Sequence, residues 1–139
     1  MRRVFIDTSH YIGVLVSRDD LHTQATRIAR SLVDATFVTT DAVLVELLAS
    51  AAKGGSDARA RAVEFVEAIL DDDRTTIVSQ SPELFRRGLT LYAGRPDKGY
   101  SLTDCMSMLV CLDLGINEVL TFDHHFEQEG FHALLRDDA

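Results

Sequence analysis

Four acidic residues are the side chains in this sequence that could perform chemistry together. Asp7 and Asp123 each follow a short apolar run, Glu46 lies inside an apolar helical pattern, and Asp104 lies at the start of another helical pattern. Carboxylates that are brought together repel one another, which raises their pKa values or requires cations. Hard oxygen ligands select Mg²⁺ or Mn²⁺ rather than zinc. The four acids therefore predict a Mg²⁺ or Mn²⁺ site that assists the attack of water on a phosphodiester.

Each acid also has an ordinary structural explanation when it is considered alone. Asp7 and Asp123 can each cap the turn or helix that follows. Ser101 and Asp104 have the spacing of a capping box, with Asp in the place of the usual Glu. Glu46 is harder to explain, because no basic residue lies three or four positions away on its helix. A metal ion, a distant Lys or Arg, and a partly exposed position all stay open for Glu46.

The elements that must position these acids alternate along the chain. Short apolar runs alternate with longer helical patterns, which predicts an α/β fold with a central, mostly parallel sheet of about five strands. The predicted strands cover residues 3–6, 37–39, 75–78, 118–121 and 131–135, and the predicted helices cover 8–16, 22–34, 41–53, 57–70, 82–92 and 102–114. Ligands bind outside the carboxyl ends of such strands, which is where Asp7 and Asp123 fall.

Length, charge and apolar content limit the classes of protein to which the chain can belong. The 139 residues fit one domain, 1–139, with a single core. The formal net charge of −8 argues against a broad nucleic-acid binder, but not against a nuclease whose bound cations cancel part of the charge. No apolar run reaches the roughly 20 residues that span a bilayer, and the N-terminal run is too short for a signal peptide. We therefore expect a cytoplasmic protein without membrane contact, in which Cys105 and Cys111 are buried, reduced thiols.

Four short motifs together resemble the signature of the PIN-domain family. They occur in the order of that family, cover essentially the whole chain, and read Phe5-Ile6-Asp7-Thr8-Ser9, Glu46 in its helix, Ser101-Leu102-Thr103-Asp104, and Leu120-Thr121-Phe122-Asp123-His124-His125-Phe126. The length and the ending Phe126-Glu127-Gln128-Glu129-Gly130-Phe131 are most similar to VapC-type toxins of bacterial and archaeal toxin–antitoxin pairs.

The resemblance implies a three-layer fold in which the sheet lies between helices and the acids meet in one cleft. It implies metal-binding and catalytic roles for Asp7, Glu46, Asp104 and Asp123, and a supporting role for Ser9. It also implies an endoribonuclease that depends on Mg²⁺ or Mn²⁺ and acts on RNA, a neutralising antitoxin protein and a homodimer. The residues do not identify the general base.

Several neighbouring features have less specific interpretations. His124 and His125 lack partners at zinc-ligand spacing, so we interpret them as ordinary surface or capping residues. Residues 94–100 form the loop in which we expect specificity to vary. The basic residues in and near this loop are Arg86, Arg87, Arg95 and Lys98. They either contact phosphates or form a solvated helix face. An early apolar cluster is interpreted as core, part of which could serve a dimer or a partner helix: Tyr11, Ile12, Leu15, Val16 and Leu21.

Two other classes of function compete with a nuclease. A phosphoryl-transfer or receiver domain needs a paired acid near its start and a Lys near its end, but no acid precedes Asp7 and no Lys follows Lys98. A non-catalytic PIN-fold binding module has no reason to keep a complete set of four acids. A PIN nuclease outside toxin–antitoxin systems stays open.

Overall fold

The computed structural model describes residues 2–16 and 20–137 of the chain. The strands are β1 (Arg3–Ile6), β2 (Thr36–Thr40), β3 (Thr75–Val78), β4 (Glu118–Leu120) and β5 (His132–Ala133). The helices are α1 (Thr8–Leu15), α2 (Asp20–Ser31), α3 (Asp41–Ala51), α4 (Ser56–Leu70), α5 (Pro82–Gly94), α6 (Leu102–Leu114) and α7 (His125–Gln128), and a 3₁₀ turn covers Leu134–Arg136.

The five strands form one parallel sheet in the order β3-β2-β1-β4-β5, which confirms the predicted α/β fold. Apolar side chains of β1 and β4 are buried on both faces of this sheet, as expected for parallel strands covered by helices. The chain runs from β1 outward through β2 to β3, and then returns to place β4 on the other side of β1. A crevice therefore opens at the carboxyl ends of β1 and β4, where the strand order reverses.

The helices pack in two groups. In one group α1 packs against α2 and α3, and α3 packs against α4; in the other, α5 packs against α6. The connections from β1 to β3 and the returning connection from β3 to β4 run in opposite directions across the sheet. Because parallel crossovers are right-handed, the two groups cover opposite faces and make three layers.

Helix α6 begins and ends as its sequence predicts. Ser101 accepts a hydrogen bond from the backbone N–H of Asp104, and the Asp104 side chain accepts one from the backbone N–H of Ser101, which completes a capping box. At the other end Gly115 has a φ of 69°, a left-handed conformation that favours glycine. The two cysteines of this helix are buried free thiols, as expected.

The end of the chain differs from the prediction. The predicted strand over residues 131–135 is only two residues long, and a 3₁₀ turn replaces its second half. Helix α7 was not predicted, because four residues are too few to show a helical period. Within residues 2–16 and 20–137, no helix is long and apolar enough to cross a membrane.

Candidate active site

An open cavity of about 590 Å³ lies at the carboxyl ends of β1 and β4. The structure places all four predicted acids on its wall, together with Ser9. Its lining residues are Asp7, Thr8, Ser9, Ile12, Glu46, Ala49, Ser50, Gly99, Ser101, Asp104, Asp123 and His125. Residues that are far apart in the chain thus meet in one crevice.

Asp7 is the most buried acid of the cavity, with 2% of its surface exposed. Its Oδ2 accepts hydrogen bonds from Ser9 Oγ at 3.1 Å and from Thr121 Oγ1 at 2.9 Å. Burial, and after it the negative charge of Asp104, raises the pKa of Asp7 from 3.8 to about 7, although the bond from Thr121 lowers it. Without a counter-charge, this carboxyl group is therefore only partly ionised at neutral pH.

Hydroxyl groups tie the ends of β1 and β4 together around Asp7. Ser9 Oγ accepts from the backbone N–H of Phe122 at 2.9 Å, and Thr121 Oγ1 accepts from the backbone N–H of Asp123 at 3.0 Å. Thr121 is fully buried, and its Oγ1 lies 3.2 Å from Ser9 Oγ. The sequence did not single out Thr121. Its position two residues before Asp123 was the available signal.

Glu46 finds its partner across the fold and not along its helix. Its Oε1 accepts a hydrogen bond from Thr8 Oγ1 at 2.6 Å, and the side chain is partly exposed to the cavity. A hydroxyl group orients a carboxylate without neutralising it. The negative charge of Glu46 is therefore directed into the cavity. Thr8 also lines the cavity, and the sequence did not single it out although it directly follows Asp7.

Asp104 caps its helix and also lines the cavity, two positions that the sequence presented as alternatives. Its Oδ2 accepts from the backbone N–H of Ser101 at 3.0 Å and lies 3.0 Å from Nδ1 of His125. The capping box fixes the side-chain rotamer, and the same rotamer points the carboxylate into the cavity. Capping therefore does not compete with a role in the site, because it orients the carboxylate.

His125 corrects the interpretation of the histidine pair. It lines the cavity and contacts Asp104, so it is not an ordinary surface histidine. The ring packs edge-on against Tyr100, with ring centroids 5.5 Å apart. The next residue, Phe126, is fully buried against Phe5, which anchors α7 and with it His125. His124 precedes α7, and its side chain makes no capping hydrogen bond.

The donor groups of the cavity fit a divalent cation. Asp104, Asp123 and His125 each offer one donor atom, and these atoms lie within 4.8 Å of one another. No Lys or Arg lines the cavity in the described part of the chain. Carboxylates that face one another without a Lys or Arg need cations to balance them, and the charge of Asp104 adds to the larger effect of burial in raising the pKa of Asp7.

The predicted basic residues are mostly held in ion pairs at some distance from the acids. Arg87 makes a two-bond pair with Asp113, and Arg95 makes one with Glu129. Lys98 is only loosely paired, because its Nζ lies 3.5 Å from the largely exposed Asp97. A pocket of about 250 Å³ adjoins the acidic cavity at Gly99, and its other lining residues are Tyr92, Arg95, Pro96, Lys98 and Tyr100.

The early apolar cluster divides between the core and a surface groove. Tyr11 is buried in the core, so it does not contribute to a dimer surface. A groove of about 570 Å³ lies beside the acidic cavity and shares Ile12 and Ser50 with it. Its remaining lining residues are Leu15, Val16, Ala51, Gly54, Ala58 and Arg61. The side chain of Leu21 lies outside the described residues.

Comparison with known proteins points to one family. The sequence profile of the PIN domain matches residues 4–131. The fold is similar to the crystal structure of VapC20 from Mycobacterium tuberculosis, which is described as a toxin that cleaves the sarcin–ricin loop. The TM-score is 0.82 at 22% sequence identity, and the alignment covers 92% of this chain and 95% of VapC20. At that identity the likeness shows a common fold. No curated protein sequence matches the chain.

Proposed function

The chain belongs to the PIN-domain family, and from this premise we propose that it is a metal-dependent endoribonuclease, the toxin of a toxin–antitoxin pair. The observation that carries the proposal is the convergence of four carboxylates in one cavity without a Lys or Arg among its described lining residues. Such a site has the donor set for Mg²⁺ or Mn²⁺ and the open shape that a polynucleotide needs.

Asp7, Glu46, Asp104 and Asp123 would hold the cation. When bound, the cation would lower the pKa of water and neutralise charge on the phosphate. The hydroxyl groups and the helix cap give three of these carboxylates fixed orientations before any substrate arrives. Preorganised groups of this kind lower the reorganisation needed during the reaction. Hydrolysis by water needs no nucleophile from the protein, so no covalent intermediate with the chain is expected.

A pocket in the loop before α6 is the feature that favours RNA as the substrate. The Lys98 ammonium group is weakly paired, and the exposed Tyr92 ring lies in the same pocket. A cation beside an aromatic ring can hold a phosphate and a stacked base at the same time. We propose that this pocket receives a nucleotide next to the scissile phosphate, in the cytoplasm where such RNA is found.

The groove beside the cavity is the surface on which we propose that an antitoxin binds. Because it shares Ile12 and Ser50 with the acidic cavity, an apolar peptide bound in the groove can extend a basic side chain toward the acids. The partner we propose is therefore an amphipathic segment that carries Arg or Lys. Binding there would block substrate and neutralise the site in one step.

A homodimer is also part of the proposal, with a different surface from the one expected at first. Helix α5 exposes the large apolar side chains of Phe85 and Leu89, and Leu112 of α6 is also exposed. Their spacing along α5 places them on one face of the helix. An exposed apolar stripe is typical of an interface between proteins, and α5 and α6 replace the early helices as the proposed dimer surface.

The proposal is tested by incubating the purified protein with a panel of tRNA, rRNA and mRNA fragments and with DNA of the same sequences. We expect cleavage of RNA with Mg²⁺ or Mn²⁺ and none in excess EDTA. Asp73→Asn, at an exposed position away from the cavity, is the matched control for Asp104→Asn, which should lose cleavage. Full cleavage in EDTA would contradict the metal mechanism. RNA binding without cleavage would favour a non-catalytic binding module.

A further inference from the structure

We propose that a ring nitrogen of His125 binds the same cation as Asp104 and Asp123, so that the site prefers Mn²⁺ to Mg²⁺. This inference rests on the proposed function, because it concerns the cation of the same cavity. With His125 as a ligand, the site has a nitrogen donor beside the carboxylates that the sequence predicts. This one residue then decides which of the two ions binds more tightly.

The distances around His125 fit a shared ion. The donor atoms of Asp104, Asp123 and His125 lie within 4.8 Å of one another, and Nδ1 of His125 is 3.0 Å from Oδ2 of Asp104. Two ligands at right angles on an octahedral ion, each about 2.1 Å from it, are about 3.0 Å apart. The same spacing therefore serves a hydrogen bond without the ion and a pair of adjacent ligands with it. When Nδ1 binds the ion it carries no proton. A proton that it held beforehand is released to solvent, or the neutral ring holds its one proton on Nε2.

The His125 ring is held in place by its surroundings. Its side chain is 19% exposed, and Tyr100 packs edge-on against it. Phe126 is fully buried against Phe5 and Phe131, so α7 cannot shift without opening the core. A ligand whose orientation is fixed before the ion arrives loses little conformational entropy on binding.

A nitrogen donor changes which ion is favoured. Mg²⁺ prefers oxygen ligands and gains little from an imidazole, whereas first-row transition ions bind imidazole readily. Mn²⁺ accepts the carboxylates as Mg²⁺ does, and in addition gains from the nitrogen. Replacing His125 should therefore lower the affinity for Mn²⁺ more than the affinity for Mg²⁺.

Pulsed electron paramagnetic resonance of the Mn²⁺-loaded full chain tests this directly, since a coordinated imidazole produces ¹⁴N modulation. Calorimetry with Mn²⁺ alone and with Mg²⁺ alone gives the two affinities. We compare wild type with His125→Asn, His125→Asp and the neighbouring control His124→Asn. We expect nitrogen modulation in wild type and in the control, and none in the two variants at position 125.

For His125→Asn we expect the Mn²⁺ affinity to fall by roughly tenfold and the Mg²⁺ affinity to change far less. His125→Asp should bind Mg²⁺ at least as well as wild type, because it supplies an oxygen ligand. Wild type that binds Mn²⁺ without nitrogen modulation would overturn the inference and leave the proposed metal site intact. An equal loss for both ions would also overturn it, since His125 would then act only by orienting Asp104. Wild type that binds neither ion would remove the proposed metal mechanism itself. If His125→Asn fails to fold, the wild-type modulation still decides.

Discussion

Replacing Asp7 with Asn should change how the stability of the metal-free protein depends on pH. Burial and the charge of Asp104 raise the pKa of Asp7 from 3.8 to about 7, and burial lowers the pKa of His10 from 6.5 to about 4. Between pH 4 and 6.5 the folded protein holds a proton on Asp7 that the unfolded chain has lost. The unfolded chain holds a proton on His10 that the folded protein lacks. The two groups therefore push stability in opposite directions over the same range of pH.

The magnitudes follow from the two shifts. One pKa unit corresponds to about 1.4 kcal/mol. The contribution of Asp7 is present below pH 3.8, and on the order of 4 kcal/mol of it is lost as the pH rises through 7. The contribution of His10 is present above pH 6.5, and on the order of 3 kcal/mol is lost as the pH falls through 4. Wild type should therefore change little between pH 4 and 6.5 on account of these two groups.

Asp7→Asn removes one side of this balance and keeps the shape of the site. Ser9 and Thr121 both donate to the same oxygen of Asp7, and the amide oxygen of Asn can take that position. The free energy of unfolding of the variant should rise by on the order of 3 kcal/mol between pH 4 and pH 6.5, because only the His10 contribution remains. At pH 7.5 it should exceed wild type by a few kcal/mol.

Urea unfolding in EDTA from pH 4 to 8 measures these free energies, with the exposed-site variant Asp73→Asn as control. The control should follow the wild-type curve. Curves for wild type and Asp7→Asn that run parallel over the whole range would refute the reasoning, because the pKa of Asp7 would then not be raised by folding. Added Mn²⁺ should stabilise wild type by mass action and stabilise Asp7→Asn much less.

Three further outcomes are expected. Asp104→Asn should abolish cleavage and reduce the rise in melting temperature that Mn²⁺ gives wild type, as read by differential scanning fluorimetry; equal rises would show that Asp104 is not a ligand. Thr8→Val removes the 2.6 Å hydrogen bond to Glu46, so cleavage should slow by about tenfold while the free energy of unfolding changes by about 1 kcal/mol; an unchanged rate would mean that Thr8 does not orient the acid. Leu89→Glu should convert the homodimer to a folded monomer in light scattering, and a wild type that is already monomeric at high micromolar concentration would contradict the dimer.

Patterns of neighbouring residues in the sequence predicted much of the secondary structure and the parallel sheet of this protein. Apolar runs predicted β1 and β3 with their observed bounds, and alternation with helical patterns predicted the parallel sheet. The capping pair Ser101 and Asp104, and Gly115 at the other end of α6, marked that helix correctly. These features depend on residues close together in the chain, so their signal is present in the sequence itself. The four acids were selected by the same local contexts, and their metal-binding role stays a prediction.

Tertiary structure alone decided which residues accompany those acids. The contacts from Thr8 to Glu46, from Thr121 to Asp7 and from His125 to Asp104 join residues 38, 114 and 21 positions apart. No local period or spacing records such contacts, because they arise when the strand order reverses between β1 and β4 and brings separate loops to one crevice. The position of His125 depends further on the burial of Phe126, a packing effect of the whole core. Folding also produces the raised pKa of Asp7, since desolvation and the charges of neighbouring acids exist only once the chain is packed.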